Sequence, residues 1–224
     1  MRQDENAFAQ YGTLCHTLLE KWARDELLSF ELSEEYEKMY ASSVNCPFPP
    51  YPKGMPQKYY DAGLEYFNGF DGFGDAYEIV SVEEKFELDI DGYLFVGIAD
   101  LVLRDKNTGE ISVIDHKSKS MSSMKKDLDT YRKQLYIYAM HVKDRYSEYP
   151  SLLRFNMFKD GVFIDERFNE ETLHATRKWV IGTIEDILME SDWDGAGSSY
   201  FCRFVCGVRN CCPVDFNRNY SSVQ

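Results

Sequence analysis

Phe8, Tyr11, Cys15, Leu18, Leu19 and Trp22 recur at three- and four-residue intervals, so the chain is predicted to open with an amphipathic helix. His16 stands beside that apolar stripe. Residues 34 to 75 are rich in Tyr and Phe, and CPFPPYPKGMP divides them into a helix, an irregular loop and a second helix from about Gln57. No motif can be read in that stretch. From Glu78 the period changes to that of strands: EIVSVEEKFELDI, YLFVGIADLVL and EISVIDHK, separated by Asp91-Gly92 and by DKNTG, both hairpin signals. Met124, Leu128, Tyr131, Leu135, Tyr138 and Val142 then mark a long helix. LLRFNMF and VFIDERF, joined at Asp160-Gly161, read as two more strands, and a helix from about Glu170 to Glu190 follows. No internal repeat interrupts the order, which predicts an α/β fold with a mixed central β-sheet flanked by helices.

Length and charge narrow the picture. With 224 residues, 44% of them hydrophobic, the chain can bury one sizeable core, and 1–224 is taken as a single domain. Its 25 basic and 38 acidic residues give a net charge of -13, which argues against attachment to nucleic acid by overall charge. A local basic groove, or a site whose acids hold cations, stays open. The opening MRQDENAFAQ lacks the apolar stretch of a secretory leader, and no run approaches a membrane span, so the expectation is a soluble cytoplasmic protein without membrane contact. In that compartment the six cysteines are expected as thiols. Four of them crowd into CRFVCGVRNCC, residues 202–212, a pattern that favours a metal or iron-sulfur site.

The segment ISVIDHKSKS, residues 111–120, ends a buried-looking strand in Asp115, His116 and Lys117. Asp115 and Lys117 are two apart and share a face; the His116 side chain points to the other. A two-residue Asp91-Gly92 turn pairs Ile90 with Tyr93, so paired positions sum to 183 and Glu83 falls opposite Asp100. A symmetric KNTG turn pairs Asp105 with Glu110, so positions sum to 215 and Asp100 falls opposite Asp115. Glu84 takes the place of Glu83 if the first hairpin slips. Directly opposed residues have Cβ atoms roughly 4.5–5.5 Å apart, where like charges destabilise a sheet. A row of three carboxylates therefore asks for a cation, and hard oxygen ligands suit Mg²⁺ or Mn²⁺. The plainer alternative is a solvated acidic face with Lys117 as its ion-pair partner, His16 as a packed core residue, and Tyr131 and Tyr138 as core.

Asp100 within GIAD, Asp115-His116-Lys117, and Gln134 and Tyr138 in YRKQLYIYA resemble, in this order, the PD-(D/E)XK nucleases. The resemblance is closest to the RecB-like branch that includes CRISPR-associated nucleases and many phage exonucleases. Gly12 and His16 in GTLCH are similar to that branch's helical metal-binding motif, and the likeness runs from about Ala7 to Cys212. It implies a restriction-endonuclease-like core and a metal-dependent DNA exonuclease acting in recombination, repair or phage DNA processing. If the chain is phage-encoded, the compartment is the host cytoplasm. It implies that His16, Asp100, Asp115 and the backbone carbonyl of His116 ligate Mg²⁺ or Mn²⁺, with Glu83 contributing through a water or a second ion. Metal binding makes hydroxide available near neutral pH, and Lys117 orients that nucleophile or stabilises transition-state charge. Gln134 and Tyr138 contact the DNA backbone or brace the site. Lys119, Lys125 and Lys126 put positive charge beside it and favour DNA, ends or single strands, as the partner. The alternative is a catalytically inactive DNA-binding or scaffold protein of the same fold.

The same branch often carries a [4Fe-4S] cluster held by three late cysteines and one early one. Cys202, Cys206 and either Cys211 or Cys212 resemble the late triad, with Cys212 taken as the third. Zinc is the competing metal. The early cysteine usually precedes the motif histidine by a good margin, and here only fifteen residues precede His16. Either Cys15, Cys46 or a residue of a longer natural N-terminus serves, or the cluster is incomplete.

Overall fold

The structure is a computed structural model and describes residues 5–191, 197–208 and 212. Helix α1 (Ala7–Ala23) starts at Asn6, whose side chain accepts the Ala9 N–H at 3.0 Å and so satisfies an otherwise orphan donor. A single 3-10 turn (Ser29–Glu31) leads into α2 (Leu32–Ser43), and α3 is Met55–Gly69. Strands β1 (Tyr77–Ile90), β2 (Tyr93–Asp105) and β3 (Ile111–His116) follow. Then come the short α4 (Met121–Met124), α5 (Leu128–Tyr146), β4 (Leu152–Met157), β5 (Val162–Arg167), α6 (Glu170–Met189) and α7 (Ser199–Phe204).

The long helix expected from Met124 is two helices. Ser120 caps α4 with its hydroxyl, and the chain breaks at Asp127 (φ -126, ψ 25) before α5 begins. Met124 is buried in the same core as Leu135 although it lies on the earlier helix, which is why the apolar spacing ran through the break.

The five strands lie in the order β1-β2-β3-β4-β5. All neighbours are antiparallel except β3 and β4, and that parallel pair takes α4 and α5 as its crossover. The sheet is therefore mixed, with helices on both faces. Asp91 (φ +53) and Gly92 (φ +90) make the tight first hairpin. Both registers agree with the calculated sums: Ile90↔Tyr93, Glu84↔Ala99 and Val82↔Leu101 in one ladder, Val102↔Val113 and Leu101↔Ile114 in the other. The one irregularity, between Ile79 and Ser81, lies past the acids.

Two cores sandwich the sheet. Phe86, Leu88, Ile90, Ala99, Val102, Ile111 and Val113 pack against Leu135, Tyr136, Ala139 and Val142 of α5. Leu101, Leu103 and Ile114 pack with Ala23 at the end of α1, beside the aromatic cluster of α1–α3. Strict alternation would put Ala99 with Leu101, yet they belong to opposite cores. The facing pattern thus changes phase at Asp100, directly across from Glu83, whose φ of +48 is left-handed. A residue with a Cβ pays roughly 1–2 kcal/mol for that conformation, and the sheet holds it there between two regular pairs. Among the described residues no helix is long and apolar enough to cross a membrane.

Candidate active site

The phase change creates the site. At Glu83 and Asp100 the ribbon turns from the α5 core to the α1 core, and β2 and β3 part after Leu101↔Ile114. In place of a further ladder bond, the His116 N–H donates to Asp100 Oδ2 at 2.7 Å. Into this opening α1 brings His16. Gly12, one turn earlier, permits the approach: a Cβ there would stand 3.3 Å from Ser118 Oγ.

His16 Nε2 donates to the His116 carbonyl at 3.0 Å, so its Nδ1 faces Glu83 Oε1 and Asp100 Oδ2, each 3.8 Å away. Among the described residues, His16, Glu83 and Asp100 form the one group of three metal-binding side chains whose donor atoms all lie within 4.8 Å of one another. One imidazole and two carboxylates offer nitrogen and hard oxygen donors, a set that fits a divalent cation such as Mg²⁺ or Mn²⁺.

Asp115, only 1% exposed, pairs beside this group with Lys117, its Oδ2 2.7 Å from Nζ. The contact continues as a chain: Lys117 Nζ donates to Gln134 Oε1 at 2.9 Å, and Gln134 Nε2 donates to the Tyr138 hydroxyl at 2.6 Å. The one-turn spacing of Gln134 and Tyr138 on α5 aligns them behind the lysine. Glu84 does not join the His16, Glu83 and Asp100 group. It meets Arg145, Tyr146 and His141 on the α5 side. Lys119 lies 4.9 Å over the Tyr131 ring, and Lys125 and Lys126 are exposed.

The charges are crowded. Burial, then the charge of Asp115, push the Asp100 carboxyl up to about 7. Burial also raises Asp115, although Lys117 works against it. Burial disfavours the charged His16 ring, but Glu83, Asp100 and Asp115 outweigh it and raise its pKa. His116, fully enclosed, stays neutral because burial and the charges of His16 and Lys117 hold its pKa well below the usual value.

Sequence reasoning missed Asn156 on β4. Its Nδ2 is shared between His116 Nδ1 (3.0 Å) and the Tyr66 hydroxyl (2.7 Å), and its backbone carbonyl takes the Lys117 N–H at 2.8 Å. One buried residue thus fixes His116, whose backbone holds both Asp100 and His16. A polar residue inside LLRFNMF was the signal. Tyr66, from the stretch without a legible motif, supports it.

Of the cysteines, Cys15 is completely buried among Tyr11, Leu18 and Tyr36 and is no candidate for a surface cluster. Cys46, Cys202, Cys206 and Cys212 are free and half-buried, and Cys211 lies outside the described residues. No three of the described thiols approach within 4.8 Å of one another.

The family model for the PD-(D/E)XK nuclease superfamily matches residues 1–213, nearly the whole chain. A search of curated proteins gave no match.

Proposed function

Because the chain belongs to the PD-(D/E)XK nuclease superfamily, we propose that it is a Mg²⁺- or Mn²⁺-dependent deoxyribonuclease, an exonuclease of the RecB-like kind that works on DNA ends or single strands. The observation that carries this reading is the meeting of His16, Glu83 and Asp100 next to the buried Asp115–Lys117 pair. His16, Glu83 and Asp100 would hold the ion, with Asp115 and the His116 carbonyl at its border. The bound ion supplies Lewis acidity and a lowered water pKa.

The chain's own groups do the rest. Asp115 and Gln134 fix the Lys117 ammonium from two sides, so it can be aimed at the phosphate oxygen on which charge builds as water adds and the P–O bond breaks. Tyr138 braces Gln134 from behind. The Lys119–Lys126 segment offers cations to the DNA backbone of an otherwise acidic chain. A role in recombination, repair or phage DNA processing within the cytoplasm follows from this reading. A [4Fe-4S] cluster on the late cysteines belongs to it too.

The test is cleavage of end-labelled single- and double-stranded DNA with Mg²⁺, Mn²⁺ or EDTA, wild type beside Lys117→Ala. Metal-dependent digestion that the substitution abolishes is expected, and the ladder gives polarity. A folded, metal-supplied wild type that binds DNA without cutting it would overturn the enzyme in favour of a scaffold.

A further inference from the structure

A second feature opens at the same end of the sheet. β3 and β4 run parallel, so the chain leaves the sheet on the same side after His116 and after Met157. The turn after β4, residues 159–161, forms one wall of a groove of about 1160 Å³ whose other wall is one face of α3. Gly54, Lys58, Asp61, Glu65 and Gly69 follow one another along that face at three- and four-residue steps.

Three contacts join this groove to the residues around the metal-binding group. Phe158, the residue before Lys159, packs edge-on against the His16 ring at 5.9 Å. The Tyr66 hydroxyl, on the groove wall, accepts from Asn156 Nδ2 at 2.7 Å, and the same Nδ2 holds His116. Asp160 accepts the Met121 N–H, which ties the turn to the segment carrying Lys119, Lys125 and Lys126. A strand lying along those lysines past the metal-binding group is thereby led into the groove.

The two ends of the groove differ in chemistry. Toward the end of α3 the lining is aromatic, with Tyr66, Phe70 and Phe163. Phe163 is 46% exposed, and the Arg154 guanidinium 4.4 Å from its ring centroid holds the ring in place. Because Tyr66 accepts from Asn156, its own proton has no acceptor among the described residues. Toward the start of α3 stand two cations, Lys58 and half-buried Lys159. Lys159 Nζ donates to the Tyr59 hydroxyl at 3.2 Å, which leaves two of its three hydrogens free for another acceptor. Lys58 and Tyr66 are eight residues apart, about 12 Å along the helix. Between them Asp61 and Glu65 offer acceptors that suit base amino groups and repel a run of phosphates.

We propose that this groove holds one unpaired nucleotide of the DNA strand, base inward, beside the phosphate that is cut. Phe163 and Phe70 take the face of the base, Tyr66 donates to one of its oxygens, Glu65 accepts from its amino group, and Lys58 with Lys159 take the neighbouring phosphate. The inference rests on the nuclease reading and deepens it. A base must leave its partner to enter, so the groove favours a single strand or a frayed end over closed duplex.

Binding is measured in EDTA, where no ion supports cleavage, by fluorescence anisotropy of a short labelled oligodeoxycytidine and of a blunt duplex. The single strand should bind more tightly. Phe163→Ala should weaken it by about fivefold or more, the loss of one base stack. Lys58→Ala should reduce the slope of log affinity against log salt by about 0.7, the loss of one phosphate contact. Both side chains are exposed, so the melting temperatures of the variants should stay near wild type. Oligothymidine, which brings no amino group to Glu65, should bind more weakly than oligodeoxycytidine. Equal affinity for the two overturns the base-inward placement, and unchanged single-strand binding in both variants overturns the groove.

An oligonucleotide carrying iodinated deoxycytidine is then crosslinked to wild type by light and the attached peptides are mapped by mass. Attachment at Tyr66 or Phe163 is expected; attachment only outside the groove overturns the proposal. Crosslinking in the groove of a protein that does not cut with Mg²⁺ or Mn²⁺ keeps the nucleotide site and removes the nuclease. Metal-dependent cutting with unchanged binding in the variants does the reverse.

Discussion

The two halves of the candidate site are built in opposite ways. On the α1 side, His16 stands 3.8 Å from both Glu83 and Asp100, too far for hydrogen bonds, and the carboxylates repel one another. On the α5 side, Asp115, Lys117, Gln134 and Tyr138 are joined by contacts of 2.6–2.9 Å, and the buried acid has its cation. The first half is a loose set of donors left with excess negative charge; the second is neutralised and rigid. A charge cluster that the protein does not balance itself is what a site for an external cation requires. A lysine locked in place is what preorganised stabilisation of developing charge requires.

The sharpest way to break this comparison is to remove a charge from each half. Lys117→Ala should lower cleavage by about 10²–10³-fold, and it should also destabilise the metal-free protein by about 3 kcal/mol or more, because Asp115 is left buried and unpaired. Asp100→Asn should be as damaging to cleavage but opposite in stability. Asp100 titrates at about 7 against an ordinary 3.8, so its ionisation weakens the folded state as pH rises through that interval. An amide cannot ionise, and its oxygen still accepts the His116 N–H. The metal-free variant should gain roughly 1–3 kcal/mol at pH 8. Denaturant unfolding in EDTA checks both signs, and two destabilised variants would mean that the halves do not differ.

A smaller effect sharpens the same contrast through pH. Asp100, Asp115 and His16 all have raised pKa values, so each favours the folded state below its ordinary pKa and loses that contribution as pH climbs through its folded value. Metal-free protein should therefore lose melting temperature between about pH 4 and 8 on their account. Lowered groups such as Glu84 and Asp105 act in the opposite sense only in acid. A divalent cation competes with the same protons, so the rise in melting temperature on adding Mn²⁺ should be larger at pH 8 than at pH 6. Calorimetry with and without Mn²⁺ at both values measures it. An equal rise at both would place the ion away from these carboxylates.

How much of this was legible beforehand depended on whether the information was local. The two hairpin turns fixed register, and counting along the chain found the pairs Glu84↔Ala99, Val82↔Leu101 and Leu101↔Ile114 that flank the acids, but it continued the second ladder to Asp100 and Asp115, where the strands have parted. Counting could not find the left-handed backbone at Glu83 or the change of facing at Asp100. Both are imposed by the sheet as it bends between two cores, and they separate Asp115 from the other two acids. Asn156 and Tyr66 were hidden for a similar reason. Each looks like ordinary strand or helix packing until β4 and α3 are set beside His116. The predicted helix through Met124 failed because a buried residue can keep the spacing of a helix to which it does not belong.

The smallest expected effect concerns Tyr138, for which bracing and DNA contact are competing roles. Its hydroxyl accepts from Gln134 Nε2, and Gln134 Oε1 accepts from Lys117. Tyr138→Phe keeps the ring in the α5 core and removes only the far end of this chain. One hydrogen bond of this kind contributes about 1 kcal/mol, so cleavage should fall by less than about tenfold. If the hydroxyl braces the lysine, the loss falls on kcat while KM for DNA stays near wild type, because the lysine is less well aimed once DNA is bound. If it instead touches the DNA backbone, KM rises and kcat holds. Steady-state cleavage over a range of DNA concentrations separates the two. A kcat effect that Lys117→Ala already includes, so that the double variant is no worse than the single, would place Tyr138 in the rigid half of the site as a positioning residue.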